Sequence, residues 1–421
     1  MKKIKKILIL VLIAFCFFTN HTIHTFALKI NVDEFINQQK IVEWRRHFHM
    51  FPELSFQEYE TTKYIIEQLS NYPELDILRP TKTGLIAVIK GEKPGKVVAL
   101  RADIDALPIQ EETDVEFKSK NPGIMHACGH DCHAAMLLGA IDVLYRIKNE
   151  LSGTIKFIFQ HAEEDGRSGG AEEFVKSGFL NDVEAFYGSH VFPEFSVGVV
   201  LAGSGPVWAS SDAFNIEVIG KGGHAAYPEK AVNPIIIGAE IVRALNLIIS
   251  NDVIANESAV VTVGSFHAGT MSNIIPNSCE IKGIVRAHQP RVREFIEQKI
   301  KLLLDDVDTS YGTKCKLTYS YGYSAVINDE NLYHLLKKIA TEYLPNIKIE
   351  EMNPTMYAED FSAYRAIAPS FFACIGSKPD SDEYFELHHS RFNINEKVLA
   401  IGTALYVEFA LSATIRSENI F

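Results

Sequence analysis

The sequence lacks the features that mark several classes of protein. Its 421 residues include only six cysteines, too few and too scattered for the disulfide framework of a small secreted domain. Basic residues are fewer than acidic ones, 41 against 53, and the formal charge of −12 argues against a nucleic-acid partner. We find no internal repeat and no low-complexity linker. The 47% hydrophobic and 22% charged residues describe a folded chain long enough for two or more domains.

The N-terminal segment has the pattern of an export signal. Four lysines lie within residues 1–6, and an apolar run over residues 7–18 follows them. This run is short for a transmembrane helix, which needs roughly 20 residues. We therefore predict a signal peptide over residues 1–27 and a periplasmic or secreted protein with no stable membrane partner after cleavage. An uncleaved helix and a lipoprotein attached through Cys16 are the alternatives.

Strands and helices alternate along most of the remaining chain. Short apolar runs predict strands, and apolar residues at three-and-four spacing predict helices. The predicted strands cover 84–89, 97–101, 154–159, 185–188 and 371–375, and the predicted helices cover 31–51, 58–69, 134–147 and 171–177. Apolar strands between helices indicate an α/β fold with a mostly parallel sheet covered on both faces.

The segment 210–323 follows a different pattern. Strands predicted at 214–219, 259–266, 279–288 and 314–321 alternate with helices at 233–249 and 290–307. The order βαββαβ is that of a ferredoxin-like α+β sandwich. We therefore predict an inserted satellite domain over residues 210–323, which divides the α/β domain into a first part, 28–209, and a second part, 324–421.

Four clusters of side chains are suited to metal binding or acid–base chemistry. The densest, residues 125–133, holds three histidines, two cysteines and an aspartate, the ligand types that zinc and related metals prefer. The others are 160–166 with three adjacent carboxylates, 188–190 with one histidine, and 387–390 with two histidines. Three of the four are expected beyond the carboxyl ends of strands, where open α/β sheets bind ligands. We therefore predict that they form one site.

Five motifs, in this order, resemble those of the metal-dependent aminoacylases and carboxypeptidases. They are RADIDALP at 101–108, CGHD at 128–131, the pair Glu163-Glu164, GGHAA at 222–226 and MSNIIP at 271–276. Within that family, the chain is most similar to the branch of hippurate hydrolases and indoleacetyl-amino acid hydrolases. The match extends from about residue 45 to about residue 402. The resemblance implies that the α/β domain is the catalytic one and has a phosphorylase/hydrolase-like fold.

The resemblance implies a site for two divalent metal ions per subunit, commonly zinc or manganese. Glu163 takes the place of the general base, and Asp105 takes that of a carboxylate that orients a metal ligand. Asp103 stands where other branches have a histidine ligand. Because His389 follows His388 directly, either could be the ligand, and alignment of Leu387 favours His388. By position, the ligands are Cys128 as the bridge, Glu164 and His388 on one metal, and His130 and His190 on the other.

Two further residues of the predicted satellite domain have a role by resemblance. His224 is expected to reach the active site of a neighbouring subunit and stabilise the oxyanion there, which implies a homodimer. Asn273 is expected to assist it or to hold the substrate carboxylate. Arg286 is a candidate carboxylate partner, although an arginine in the middle of a strand more often forms a structural pair.

The function implied by the resemblance is that of a secreted amidohydrolase. It would cleave the amide bond of a small N-acyl amino acid with a metal-activated water and release the free amino acid. A metallo-dipeptidase or carboxypeptidase of the same family is the alternative within the enzyme class. A non-catalytic binding protein that keeps the fold is the alternative outside it, and it would have no need of the extra carboxylate of Glu163.

Overall fold

The computed structural model describes residues 31–167, 169–252, 258–381 and 383–415. The predicted signal peptide lies outside these residues. Within them, no helix is long and apolar enough to span a bilayer. The helices are α1 (Gln38–Met50), α2 (Tyr59–Leu69), α3 (His130–Arg146), α4 (Ala171–Lys176), α5 (Pro234–Asp252), α6 (Pro290–Tyr311), α7 (Glu330–Glu342) and α8 (Val398–Thr414). Short 3-10 turns cover Val32–Glu34, Lys148–Glu150, Glu163–Asp165, Pro228–Lys230 and Asp360–Ala366.

The strands range in length from two to eleven residues. They are β1 (Asp76–Leu78), β2 (Leu85–Lys90), β3 (Lys93–Asp103), β4 (Ser152–Gln160), β5 (Ala185–Phe192), β6 (Val199–Ala202), β7 (Gly205–Trp208), β8 (Asp212–Ile219), β9 (Gly223–His224), β10 (Ala259–Ala268), β11 (Ile274–Ile275), β12 (Ser278–Ala287), β13 (Lys314–Tyr321), β14 (Val326–Asn328), β15 (Lys348–Glu351) and β16 (Ser370–Gly376).

Eight of these strands form one sheet, which we call the large sheet, in the order β1-β2-β4-β3-β5-β16-β6-β15. Its centre, from β4 through β3 and β5 to β16, is parallel. Every residue of β5 and β16 is buried. Phe186 stacks on Tyr364, whereas its neighbour Tyr187 contacts Tyr406 of α8, so both faces of β5 are covered. The prediction of an α/β fold with a mostly parallel sheet is confirmed.

Four strands form a second sheet, which we call the small sheet, in the order β10-β12-β8-β13. All its pairs are antiparallel, and α5 and α6 pack on it in the predicted βαββαβ order. It has its own apolar core, which includes Ile216, Ile241, Ile281 and Ile296. The division of the chain into domains at residues 210 and 323 stays a prediction.

Several predicted boundaries differ from the structure, and three of the differences have a clear local cause. Helix α1 begins at Gln38 rather than at residue 31, because the side chain of Asn37 accepts a hydrogen bond from Lys40 N–H and caps it. Helix α3 begins at His130 rather than at residue 134, directly after Gly129, which adopts φ 93°. Strand β5 continues to Phe192 through its parallel pairing with β16, so His190 lies inside the strand and not after it.

Candidate metal centre

The candidate site lies at the carboxyl ends of three adjacent strands, β4, β3 and β5. Strand β3 ends at Asp103, and Asp105 follows directly. Strand β4 ends at Gln160 and is followed by the 3-10 turn that carries Glu163. Parallel strands bring their carboxyl ends to one edge of a sheet, so residues distant in sequence meet there.

The turn after β4 is held from two sides. Ala162 adopts φ 54°, which is uncommon for a residue with a side chain. Its N–H donates to Glu58 Oε1 at 2.8 Å, and the N–H of Glu164 donates to Asp105 Oδ2 at 2.9 Å. Both acceptors are buried carboxylates. The adjacent side chains of Glu163 and Glu164 are thus fixed by backbone contacts on either side of the turn.

Five predicted ligands lie together, and we call them the metal cluster: Cys128, His130, Glu164, His190 and His388. Cys128 Sγ is 3.3 Å from His190 Nε2, and His388 Nε2 is 3.3 Å from Glu164 Oε1. The candidate ligand atoms of Cys128, His130 and His190 lie within 4.8 Å of one another, and so do those of Cys128, Glu164 and His388. Cys128 is common to both groups, which is the geometry expected of a ligand shared by two cations.

The two buried histidines of the metal cluster are oriented by their Nδ1 atoms. His130 Nδ1 is 3.0 Å from the carbonyl oxygen of Asp105 and 3.2 Å from its Oδ1. His190 Nδ1 is 2.8 Å from the carbonyl oxygen of Val191. A proton on each Nδ1 satisfies these acceptors and leaves Nε2 free as a ligand.

The donors of the metal cluster fit a cation. His130 Nε2 and Glu164 Oε1 are buried and make no hydrogen bond, an arrangement that is costly without a partner. Burial opposes the charge of His130, but the carboxylates of Asp103 and Asp105 outweigh it and raise its pKa to about 10. Burial and the carboxylates of Glu164 and Glu163 raise the pKa of Cys128 far above that of an ordinary thiol, so a thiolate there needs a metal ion.

The geometry favours His388 over His389. His388 adopts φ 65° and lies against Glu164. The ring of His389 stacks instead on Phe385 at 4.6 Å, and its Nδ1 accepts a hydrogen bond from Arg391 N–H. A left-handed backbone at a residue with a large side chain costs energy, and such strain is concentrated at functional sites.

Asp103 and His133 are satisfied by protein partners. Asp103 lies 2.6 Å from His133 Nδ1 and 2.7 Å from the guanidinium of Arg101. His133 Nε2 accepts the N–H of Val191 at 3.0 Å. Burial, together with the charge of His130, lowers the pKa of His133. Both ring nitrogens of His133 therefore have protein partners, which leaves neither free for a metal. His133 is a supporting residue of the metal cluster and not a ligand.

Glu163 lies beside a pair of carboxylates that the sequence analysis missed. Its carboxylate is 4.0 Å from His130 Nε2 and within 4.8 Å of those of Glu359 and Asp360. Burial, and then the charge of Glu359, raise the pKa of Glu163 far above that of an exposed glutamate, and burial raises the pKa of Glu359 to about 8. The feature of the sequence that could have indicated these two carboxylates is that Glu359 and Asp360 are adjacent and precede the apolar strand β16.

The metal cluster opens into a cavity of about 240 Å³, which we call the site cleft. Its lining includes Glu163 and four residues of the metal cluster, together with the aromatic side chains of Trp208, Tyr323 and Tyr357. Arg286 also lines the cleft and has no carboxylate partner within the described part of the chain. A concave site with apolar walls and a few convergent polar groups is typical of small-molecule binding.

His224 and Asn273 do not line the site cleft of their own chain. His224 belongs to β9 and pairs with Ile274 of β11, next to Asn273. The N–H of Ala225 donates to the carbonyl oxygen of Asn273 at 3.1 Å, so the two predicted residues are held close together. Both are exposed. Their predicted roles, like those of the other site residues, stay predictions.

Comparison with known proteins identifies the family. The model of peptidase family M20/M25/M40 matches residues 99–412. An N-acyl-L-amino acid amidohydrolase of Geobacillus stearothermophilus is 43% identical over 288 residues, which cover 68% of this chain and 78% of the relative. Thermostable carboxypeptidase 1 of Saccharolobus solfataricus is 36% identical over 374 residues, which cover 88% of this chain and 94% of the relative.

A similar solved structure belongs to the same family. The crystal structure of the Bacillus subtilis YXEP protein, described as a dinuclear metal binding peptidase from the M20 family, has a TM-score of 0.78 and 34% sequence identity to this chain. The superposition covers 89% of this chain and 97% of that one. The predicted resemblance is thereby confirmed: the chain belongs to peptidase family M20/M25/M40 and is a hydrolase of amide bonds.

Proposed function

We propose that the protein is a metal-dependent amidohydrolase that cleaves N-acyl amino acids into a carboxylic acid and a free amino acid. The observation that carries the proposal is the position of Glu163, a buried carboxylate outside the five predicted ligands, directly beside the metal cluster and facing the site cleft. Similarity to the N-acyl-L-amino acid amidohydrolase supports this choice of substrate class.

Two divalent ions held by Cys128, His130, Glu164, His190 and His388 would polarise the amide carbonyl and acidify the attacking water. Glu163 accepts the proton of that water and passes it to the amide nitrogen that leaves, two tasks that a single carboxylate with a raised pKa can perform. Asp105 keeps His130 Nε2 directed at the site. Arg286 is placed to bind the α-carboxylate of the amino acid, because its guanidinium lines the cleft without an acidic partner.

The oxyanion donor is proposed to come from a second copy of the chain. His224 is exposed and absent from the lining of the site cleft, as expected for a residue that acts across an interface. Asn273, held beside it, would assist. This role requires a homodimer in which the small sheet with α5 and α6 serves as a satellite domain. Mixing inactive Glu163→Gln chains with inactive His224→Ala chains tests it, since only mixed dimers would regain activity.

The proposal includes export. The basic and apolar pattern of residues 1–27 supports a cleaved signal peptide and a periplasmic or secreted enzyme. N-terminal sequencing of the protein recovered from its native host tests this. A mature chain that begins near residue 28 is expected, and an intact N-terminus in a cytosolic fraction would contradict it.

A carboxypeptidase is the second candidate, favoured by the similarity to thermostable carboxypeptidase 1. Both candidates bind a free carboxylate next to the cleaved bond and differ in what lies on the acyl side. The deciding assay uses protein without residues 1–27, reconstituted with zinc or manganese. Acetyl, benzoyl and indoleacetyl amino acids are compared with dipeptides and blocked peptides.

We expect kcat/KM for one of the acyl amino acids to exceed that for every peptide, and chelator to abolish turnover. Faster hydrolysis of peptides would favour the carboxypeptidase. Tight binding of acyl amino acids without turnover by the fully metallated protein would point to a non-catalytic binding protein.

A further inference from the structure

A second cavity continues from the site cleft. It has a volume of about 1210 Å³, and we call it the side cleft. The two cavities share four lining residues, Gly166, Ser211, Arg286 and Tyr323. Because their walls are common, a ligand held at the metal cluster can extend past Arg286 into the side cleft.

The carboxylates that line the side cleft already have hydrogen-bond or ion-pair partners within the protein. Asp212 accepts hydrogen bonds from Arg293 and from the hydroxyl of Tyr319. Asp360 is buried against Arg101 and Gln160. Glu172 pairs with Lys176 one turn along α4. Each acidic residue of the lining thus contacts a cationic side chain, and Asp360 shares its partner Arg101 with Asp103 and Glu359.

Three guanidinium groups of the side cleft have no such partner. Arg167 makes no side-chain hydrogen bond or ion pair with the residues that the structure describes, and it is exposed. Within the same described residues, Arg286 donates to the carbonyl oxygen of Val285 and Arg365 to that of Ile327, and neither forms an ion pair. Burial lowers the pKa of Arg286, and the charge of Asp212, which is already paired with Arg293, opposes that shift without cancelling it. The side cleft therefore presents uncompensated positive charge to whatever enters it.

We propose that the side cleft is a binding site for a second carboxylate of the substrate. This inference rests on the proposed function, in which Arg286 holds the α-carboxylate at the junction of the two clefts. The additional carboxylate then lies between Arg167 and Arg365, and planar guanidinium groups suit carboxylates because they donate two parallel hydrogen bonds. The preferred substrates are N-acyl amino acids with an acidic group on either the amino acid side chain or the acyl chain.

The test is a binding measurement that does not depend on turnover. Metal-loaded Glu163→Gln protein without residues 1–27 is titrated calorimetrically with N-acetylglutamate and with N-acetylglutamine, which differ in one charge but hardly in shape. N-succinylglutamine places the extra carboxylate on the acyl side and distinguishes the two sources. We expect one of the charged ligands to bind roughly tenfold more tightly than N-acetylglutamine at low salt, and the difference to shrink as salt is added.

The same titrations are repeated after Arg167→Gln and Arg365→Gln are added together. We expect the charged and neutral ligands to bind with similar affinity in this variant. The matched control is Arg79→Gln, which removes an arginine whose side chain contacts only the nearby carbonyl oxygen of Lys82 and which should retain the tenfold difference. Equal affinities before substitution, or a difference that survives it, would overturn the proposal. Failure of the wild-type enzyme to hydrolyse any acyl amino acid would overturn the proposed function instead, while the binding result still decides the role of the side cleft.

Discussion

The large and small sheets differ in how deeply the side chains of their strands are buried. Strands β5 and β16 of the large sheet are buried along their whole length, whereas buried and open positions alternate in β8 of the small sheet, and β13 is open at every second residue. A charged group near the large sheet must therefore be paired inside the protein, as Arg101 is with Asp103, Glu359 and Asp360. The difference shows why the candidate catalytic groups lie beside the large sheet. Where water is excluded, the pKa values of acidic and basic side chains are shifted, and such side chains are suited to catalysis.

The strongest test of this contrast exchanges one carboxylate for an amide in each region. Glu163→Gln removes the proposed base, and we expect kcat to fall roughly 10²–10⁴-fold while two equivalents of metal are retained. Glu280→Gln, on the part-exposed side of β12, is the matched control and should leave kcat unchanged. Steady-state kinetics and elemental analysis give both readings. Near-normal turnover of Glu163→Gln would remove it from the mechanism.

Cysteines allow a second comparison between the regions. Cys128→Ala removes the atom common to both ligand groups, so we expect loss of at least one equivalent of metal and of nearly all activity. Cys315→Ala changes a thiol of the small sheet and should preserve both. Metal content after dialysis, measured by mass spectrometry, checks this. Two full equivalents in Cys128→Ala would rule out the bridging role.

Replacing one arginine in each region should show the contrast in the free energy of unfolding. Arg101→Met leaves three buried carboxylates without their cation, and we expect the free energy of unfolding to fall by about 3–5 kcal/mol. Arg293→Met leaves a single buried carboxylate, Asp212, and the Arg293 side chain is 12% exposed against 1% for Arg101, so a smaller loss of about 1–2 kcal/mol is expected. Urea unfolding of both variants measures the difference. Equal losses would mean that burial does not distinguish the two sites.

Tyr323 connects the regions, and its hydroxyl is the next target. It follows β13, donates to the carbonyl oxygen of Glu163 and accepts the N–H of Gly166 at 2.8 Å. Tyr323→Phe removes both hydrogen bonds and loosens the turn that carries Glu163, so we expect kcat to fall about tenfold, equivalent to about 1.4 kcal/mol, with KM little changed. Tyr321→Phe is the control, because the side chain of Tyr321 is exposed and its hydroxyl donates to Glu297 of α6, away from the turn. A drop in KM or in metal content of similar size would show a general structural effect instead.

The sequence was most informative where ligands are close together in the chain. Cys128 and His130, or Glu163 and Glu164, are recognisable as pairs because local spacing alone brings them together. Glu359 was missed because its partners Arg101 and Glu163 are distant in sequence and meet only through strand pairing. Helix α8 was missed because it is apolar on almost every side, as a buried helix is, and so lacks the spacing that predicts a helix. The small sheet was easier to predict because strand β8, for example, keeps an alternating pattern.

The smallest expected effect concerns a buried carboxyl group far from the metal cluster. Glu408 of α8 is buried, and burial, then the charge of Asp33, raises its pKa to about 7. Its neutral form is favoured in the folded protein, so its contribution to stability is present below pH 4.5, the ordinary value for glutamate, and is lost as the pH rises through 7. In Glu408→Gln that pH-dependent loss should disappear, which would make the variant more stable relative to wild type at pH 8 than at pH 4.5, by on the order of 1 kcal/mol. Glu342→Gln, on the exposed side of α7, should show no such difference in urea unfolding at the two pH values. If the Glu408→Gln curve parallels wild type, the carboxyl group is charged in the folded protein, and water reaches this face of the large sheet as freely as it reaches the open face of the small one.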